Sequence, residues 1–102
     1  MIGRLAPGND LLKSIEGLAR ERGLETATFQ CLGAVRNAKL AFYDQEAKEY
    51  EEFAVDEPME MIICHGNVSL KEGQPFVHAH ASLSDSQGGT VSGHVLPGTE
   101  VF

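Results

Sequence analysis

Three histidines near the end of the chain, His78, His80 and His94, combine a residue type and a spacing that could bind a metal. His78 and His80 stand two residues apart in Val77-His78-Ala79-His80-Ala81. In an extended chain side chains alternate with a period of two, so both rings point to one face. His94 follows in Ser92-Gly93-His94-Val95, after a stretch rich in turn formers from Ser84 to Thr90. The two runs therefore read as the arms of an antiparallel hairpin. If Ser84 pairs with Thr90, His80 lies opposite His94 and His78 shares their face. Three imidazole nitrogens with an open fourth position are how a protein holds Zn²⁺ while leaving room for water or a ligand. A slip of one residue, such as Asp85 against Thr90, would turn one strand over and remove His94 from the group. The remaining His-x-His pair would then be two ordinary surface or hydrogen-bonded histidines. Spacing alone leaves both registers open.

The elements that must position these residues are one helix and a series of strands. Pro7-Gly8-Asn9-Asp10 supplies turn and capping chemistry, with Asn9 the expected N-cap and Asp10 favourable at the positive end of the helix dipole. Leu11, Leu12, Ile15, Leu18 and Ala19 recur at helical spacing, Arg20 and Arg22 suit the last turn, and Gly23 ends it. This predicts an amphipathic covering helix. Strands are expected over 26–32, 38–43 and 49–53, the last two joined by a turn over 44–48. Residues 59–65 are more continuously apolar, as in a strand covered on both faces. Gly66-Asn67 reads as a bulge, with Val68-Ser69-Leu70 continuing the strand, and 71–75 as a loop before the histidine hairpin. One helix and about six strands argue for an α+β domain with a mainly antiparallel sheet. Val101-Phe102 reads as the start of another strand, so the domain at 1–102 is expected to lack C-terminal strand residues.

Composition narrows the function. A chain of 102 residues with 42% hydrophobic residues forms one modest core, for which oligomerisation would be a natural aid. No apolar run approaches the roughly 20 residues that a membrane span needs, and no signal peptide is visible. Cys31 and Cys64 fall in separate apolar runs and read as two buried free thiols in a reducing cytoplasm. The net charge is −7, and eight of the acids lie between Asp44 and Glu60, where Lys48 is the one base. Lys and Arg are otherwise scattered, and no Arg-Gly-Arg-Pro element is present. DNA phosphates call for clustered basic residues, so direct nucleic acid binding by this acidic domain is not expected. The acidic run reads as a solvated hairpin face.

Several runs together resemble the plants-and-prokaryotes conserved (PPC) domain. They are Cys31 to Leu40, Tyr43-Asp44, Met59 to Ser69, Pro75 to Ser84 and Gly93-His94-Val95-Leu96-Pro97-Gly98, in order along nearly the whole chain. The most specific part is His-x-His followed at this interval by Gly-His-x-Leu. The resemblance implies an α+β fold, commonly a homotrimer. In plant relatives the domain follows AT-hooks, which contact A·T-rich minor grooves. Prokaryotic relatives usually lack the hook and are single-domain, and their DNA-binding label is largely by association. It also implies that His78, His80 and His94 form a three-histidine zinc site, and that members continue beyond the position of Phe102.

Three functions then compete. One is a soluble, cytoplasmic, oligomeric module of regulatory role that holds a metal or small ligand and touches protein partners. Another is a zinc-dependent, hydrolase-like enzyme, in which the metal lowers the pKa of a bound water. That enzyme also needs an acid or base, for which Glu60 and Asp85 are the nearest candidates. The last is a structural histidine cluster. Each metal-ligating histidine is expected to give its second ring nitrogen to an acceptor such as Ser82, Ser92 or a backbone carbonyl. His65, on another strand, is expected to be a hydrogen-bonded core or edge histidine.

Overall fold

The structure, a computed structural model, describes residues 1–102. Its elements in chain order are α1 (Leu11–Glu21), β1 (Ala27–Val35), β2 (Ala38–Asp44), β3 (Glu49–Val55), β4 (Met59–Lys71), β5 (Gln74–Ser84) and β6 (Thr90–Val95). All six strands join one antiparallel sheet in the order β1-β4-β5-β6-β2-β3. The expected α+β class therefore holds. The helix covers one face, and sixteen buried residues fill the space between, among them Leu11, Leu12 and Ile15 from α1 and Val77, Ala79, Ala81 and Leu83 from β5. No helix is long and apolar enough to cross a membrane.

The helix cap is Asp10 rather than Asn9, because the Asp10 carboxylate accepts a hydrogen bond from Lys13 N at 3.0 Å. The same carboxylate also accepts from the backbone of Gly98. This long-range contact, invisible to local pattern, selects Asp10. Thr99 completes the clasp: it is buried, its hydroxyl accepts from Lys39 N at 3.0 Å, and its carbonyl accepts from Leu11 N at 2.8 Å. At the helix C-terminus, Leu24 N donates to Ala19 O and Gly23 N to Arg20 O, the paired bonds of a Schellman end.

The strand boundaries hold in outline, but the irregularities lie elsewhere than expected. β4 runs unbroken through Gly66 and Asn67 to Lys71. Its register shift falls between Met61 and Ile63, and β1 shifts between Cys31 and Gly33. Gly66 instead permits a close approach, since a Cβ there would stand 2.4 Å from His78 O and 2.6 Å from the Phe29 ring. The expected loop at 71–75 is a tight turn, with Lys71 paired to Gln74 and positive φ at Glu72 and Gly73. β3 is exposed along nearly its whole length, so the acidic run does form a solvated edge. At the far edge Val101 bridges to Val35, and Phe102 N donates to Ala34 O at 3.1 Å.

Candidate metal centre

The register that groups the histidines is set by one turn. The Asp85 carboxylate accepts from Gln87 N and Gly89 N, each at 2.8 Å, while Asp85 N donates to Gly89 O at 2.8 Å. This closes the loop so that Ser84 pairs with Thr90. Counting back along both strands places His80 opposite His94, the first of the two registers weighed from sequence. Burial enforces it: Val77, Ala79, Ala81 and Leu83 fill the core side of β5, which drives His78, His80 and Ser82 to the other face.

On that outer face the three rings converge. Centroids lie 5.0 Å apart for His78 and His80, 4.9 Å for His78 and His94, and 5.6 Å for His80 and His94. One ring nitrogen from each falls within 4.8 Å of the others. The Nε2 atoms of His78 and His80 are 3.2 Å apart. Two nitrogens on a tetrahedral ion with bonds of 2.0–2.1 Å would sit about 3.3 Å apart, so this spacing suits a shared cation without rearrangement. His94 Nδ1 is buried and has no hydrogen-bond partner. Burial, and then the charges of His78 and His80, hold the His94 pKa below its ordinary value. It is therefore neutral at pH 7, the form that ligates a metal. The donor set fits Zn²⁺, and a bound Zn²⁺ would supply a Lewis acid with an open position.

The surroundings differ from expectation in three respects. Ser82 and Ser92 do not serve the histidines; Ser92 donates its hydroxyl to Ser82 Oγ at 2.9 Å. Across the hairpin these two are direct partners, and each satisfies the other first. Glu60 and Asp85 lie away from the cluster, lining a separate cavity with Pro58, Ser84 and Phe102. Four residues of strand from His80 to Ser84 span roughly 13 Å, beyond direct contact with the cluster. His65 is neither core nor hydrogen-bonded: it is exposed and pairs directly with His80 across β4 and β5. All four histidines thus lie on one face, although only three bring their nitrogens together.

Sequence reasoning missed the aromatic wall. Tyr50 on β3 packs on His94 at 5.1 Å between centroids, and Tyr43 packs on Tyr50 at 5.0 Å. Between them, Ala41 pairs with His94 and is 1% exposed. Its small side chain leaves room for the Tyr50 ring to lean across from β3. With Phe42, Gln45 and Gly93 these residues line a cavity of about 430 Å³ beside the histidines. The alternation of β3 places Tyr50 on a face, but only the β6-β2-β3 order makes that face the one with His94.

An open three-histidine patch on the uncovered face of an antiparallel sheet, with one helix packed behind, defines a class of domain suited to holding a cation. The sequence pattern of the Plants and Prokaryotes Conserved (PCC) domain matches residues 1–102, and the chain belongs to that family. The metal-containing protein of Archaeoglobus fulgidus is 38% identical, with a TM-score of 0.91 over 100% of this chain and 75% of that one. The plant- and prokaryote-conserved (PPC) protein of Pyrococcus horikoshii is 37% identical, with a TM-score of 0.92 over 100% of this chain and 74% of that one. Among curated proteins, the bifunctional protein GlmU of Synechococcus sp. (strain JA-3-3Ab) is 31% identical over 97% of this chain. The chain spans 15% of the length of that relative.

Proposed function

We propose that this chain is a cytoplasmic metal-binding module that holds Zn²⁺ through His78, His80 and His94, assembles as a homotrimer and acts through protein partners or a small ligand. The observation that carries the reading is the convergence of three ring nitrogens within 4.8 Å on an exposed face. The metal-containing description of the Archaeoglobus fulgidus relative supports it. Assembly is supported by the uncovered sheet face, where Tyr43, Tyr50, Ile63 and Phe76 are exposed. Scattered apolar side chains are ordinary on a protein surface, but a sheet face left without a covering layer favours association.

Direct DNA binding by this domain is not part of the reading, since a net charge of −7 repels a phosphate backbone. The hydrolase reading lacks its acid–base group, because Glu60 and Asp85 line another cavity. A regulatory module needs no such group.

Metal analysis of protein purified without a histidine tag tests the site. Close to one Zn²⁺ per chain is expected, with little or none in His80→Ala. Full metal content in that variant would overturn the three-histidine site. Light scattering at micromolar concentration should give the mass of a trimer, and a monomer would refute the assembly. Titration with duplex DNA at physiological salt should show no saturable binding.

A further inference from the structure

The β1–β4 ladder holds a pair of side chains that the histidine chemistry does not use. Cys31 and Cys64, distant in sequence, are direct cross-strand partners. Opposite residues of antiparallel strands have Cα atoms about 4.5–5.5 Å apart, inside the 4.4–6.8 Å range that a disulfide spans. Both side chains belong to the face that packs against the helix: Cys64 is fully buried, and Cys31 is half-buried against the core. Their thiols face one another across the ladder, close enough for each to bias the ionisation of the other.

The two sulfurs are not equivalent. Hydrogen bonding by the Cys64 thiol favours a thiolate at Cys31 and holds its pKa below the ordinary value, although partial burial opposes this. The same hydrogen bond, burial and the Cys31 charge all push the Cys64 thiol up. Cys31 also lines two apolar cavities, of about 590 and 580 Å³, which Gly3 and Leu5 of the N-terminal segment line as well. One sulfur is thus poised to react and approachable by a small molecule, while the other waits beneath it with its proton. Closing a bridge requires the strands to draw together slightly, since disulfide Cβ atoms are typically about 3.8 Å apart. The register shift between Cys31 and Gly33 supplies local slack, because a bulge loosens the ladder there.

We propose that Cys31 and Cys64 form a reversible thiol–disulfide site whose oxidant is a small hydroperoxide. The Cys31 thiolate attacks the peroxide oxygen and the O–O bond breaks. The leaving alkoxide or hydroxide takes a proton and departs as alcohol or water, leaving a sulfenic acid on Cys31. The Cys64 sulfur then attacks the Cys31 sulfur; the S–O bond breaks, and the departing hydroxyl takes the Cys64 proton to form water. The two thiols together lose two electrons, and the hydroperoxide gains them. A dithiol reductant reverses the bridge by exchange. The hydroperoxide class follows from access: the half-buried Cys31 admits a small oxidant more readily than a bulky disulfide.

The test treats the reduced full chain with hydrogen peroxide and follows it by thiol titration, intact mass and peptide mapping. Both thiols should disappear together, with the loss of two hydrogens and a Cys31–Cys64 cross-linked peptide, and dithiothreitol should restore them. Cys64→Ala should leave Cys31 as a sulfenic acid that dimedone traps. Cys31→Ala should leave Cys64 reduced, reacting about tenfold or more slowly, as a buried protonated thiol does. Thiols that persist under peroxide would overturn the proposal. So would over-oxidation of Cys31 without a bridge, or a disulfide between chains. Bridging by glutathione disulfide at least as fast as by peroxide would overturn the assignment of the oxidant. The wild-type peptide map decides the bridge even if either variant fails to fold.

Discussion

The histidine hairpin and the cysteine pair are built by the same device and end in opposite environments. In each, antiparallel register sets two chemically competent residues opposite one another: His80 against His94 across β5 and β6, and Cys31 against Cys64 across β1 and β4. The histidines point away from the helix, where rings crowd on an open face. The cysteines point toward it, where Cys64 is sealed in the core. An open face suits a hydrated cation with an exchangeable position, whereas a directly opposed pair with one buried member suits electron chemistry that needs little room. Which face a residue occupies is decided by its parity in the strand, so one sheet carries both chemistries a few residues apart.

The contrast is most sharply broken at the hairpin by His80→Ala. Removing the residue that both joins His78 along β5 and faces His94 should weaken zinc binding by more than about 100-fold, since loss of an outer-shell partner alone costs 10–100-fold. Competition against a zinc-sensitive dye measures this, and the thiol reactivity of Cys31 should stay unchanged. Parallel changes in both would show that the two regions are not independent.

Gly66→Ala strikes the point where the regions meet. The new methyl would collide with His78 O on one side and the Phe29 ring on the other. A backbone carbonyl cannot swing away as a flexible side chain does, so the expected cost is about 1–3 kcal/mol in chemical denaturation. Zinc affinity should fall as well, because His78 is carried on the displaced strand. Unchanged stability would mean that β4 and β5 separate more easily than their ladder implies.

Tyr50→Ala tests the wall of the histidine patch alone. Tyr50 packs on the His94 ring and is itself 51% exposed, so the expected loss is in ligand orientation rather than folding. Zinc affinity should drop by up to about tenfold, the lower part of the range for supporting residues. An affinity equal to wild type would assign the His94 orientation to the sheet backbone instead.

The smallest effect is on pH dependence. The His94 pKa is lower in the folded protein than in the unfolded chain, so at acid pH the unfolded chain binds the extra proton more readily. The stabilisation is present above the ordinary histidine pKa of about 6.5 and is lost as pH falls from there through the folded value. Denaturation of metal-free protein from pH 8 to pH 5 should show this decline, and His94→Gln should flatten it. A slope that survives in His94→Gln would assign the effect to other groups.

Much was legible before the fold was known. Turn formers between two alternating runs named the hairpin, and the period of two put His78 and His80 on one face. Helical spacing in Leu11, Leu12, Ile15 and Ala19 named the covering helix. These readings succeed because the physics is local: alternation and helical period are properties of a few consecutive residues. Strand order is not local. Only the tertiary structure brought Tyr50 onto His94, set Cys31 against Cys64, chose Asp10 over Asn9 by tying it to Gly98, and moved Glu60 and Asp85 away from the histidine patch. Each of those outcomes depends on which strand or loop lies beside which. Contacts between distant segments compete for burial across the whole chain, so no short window of sequence contains that choice.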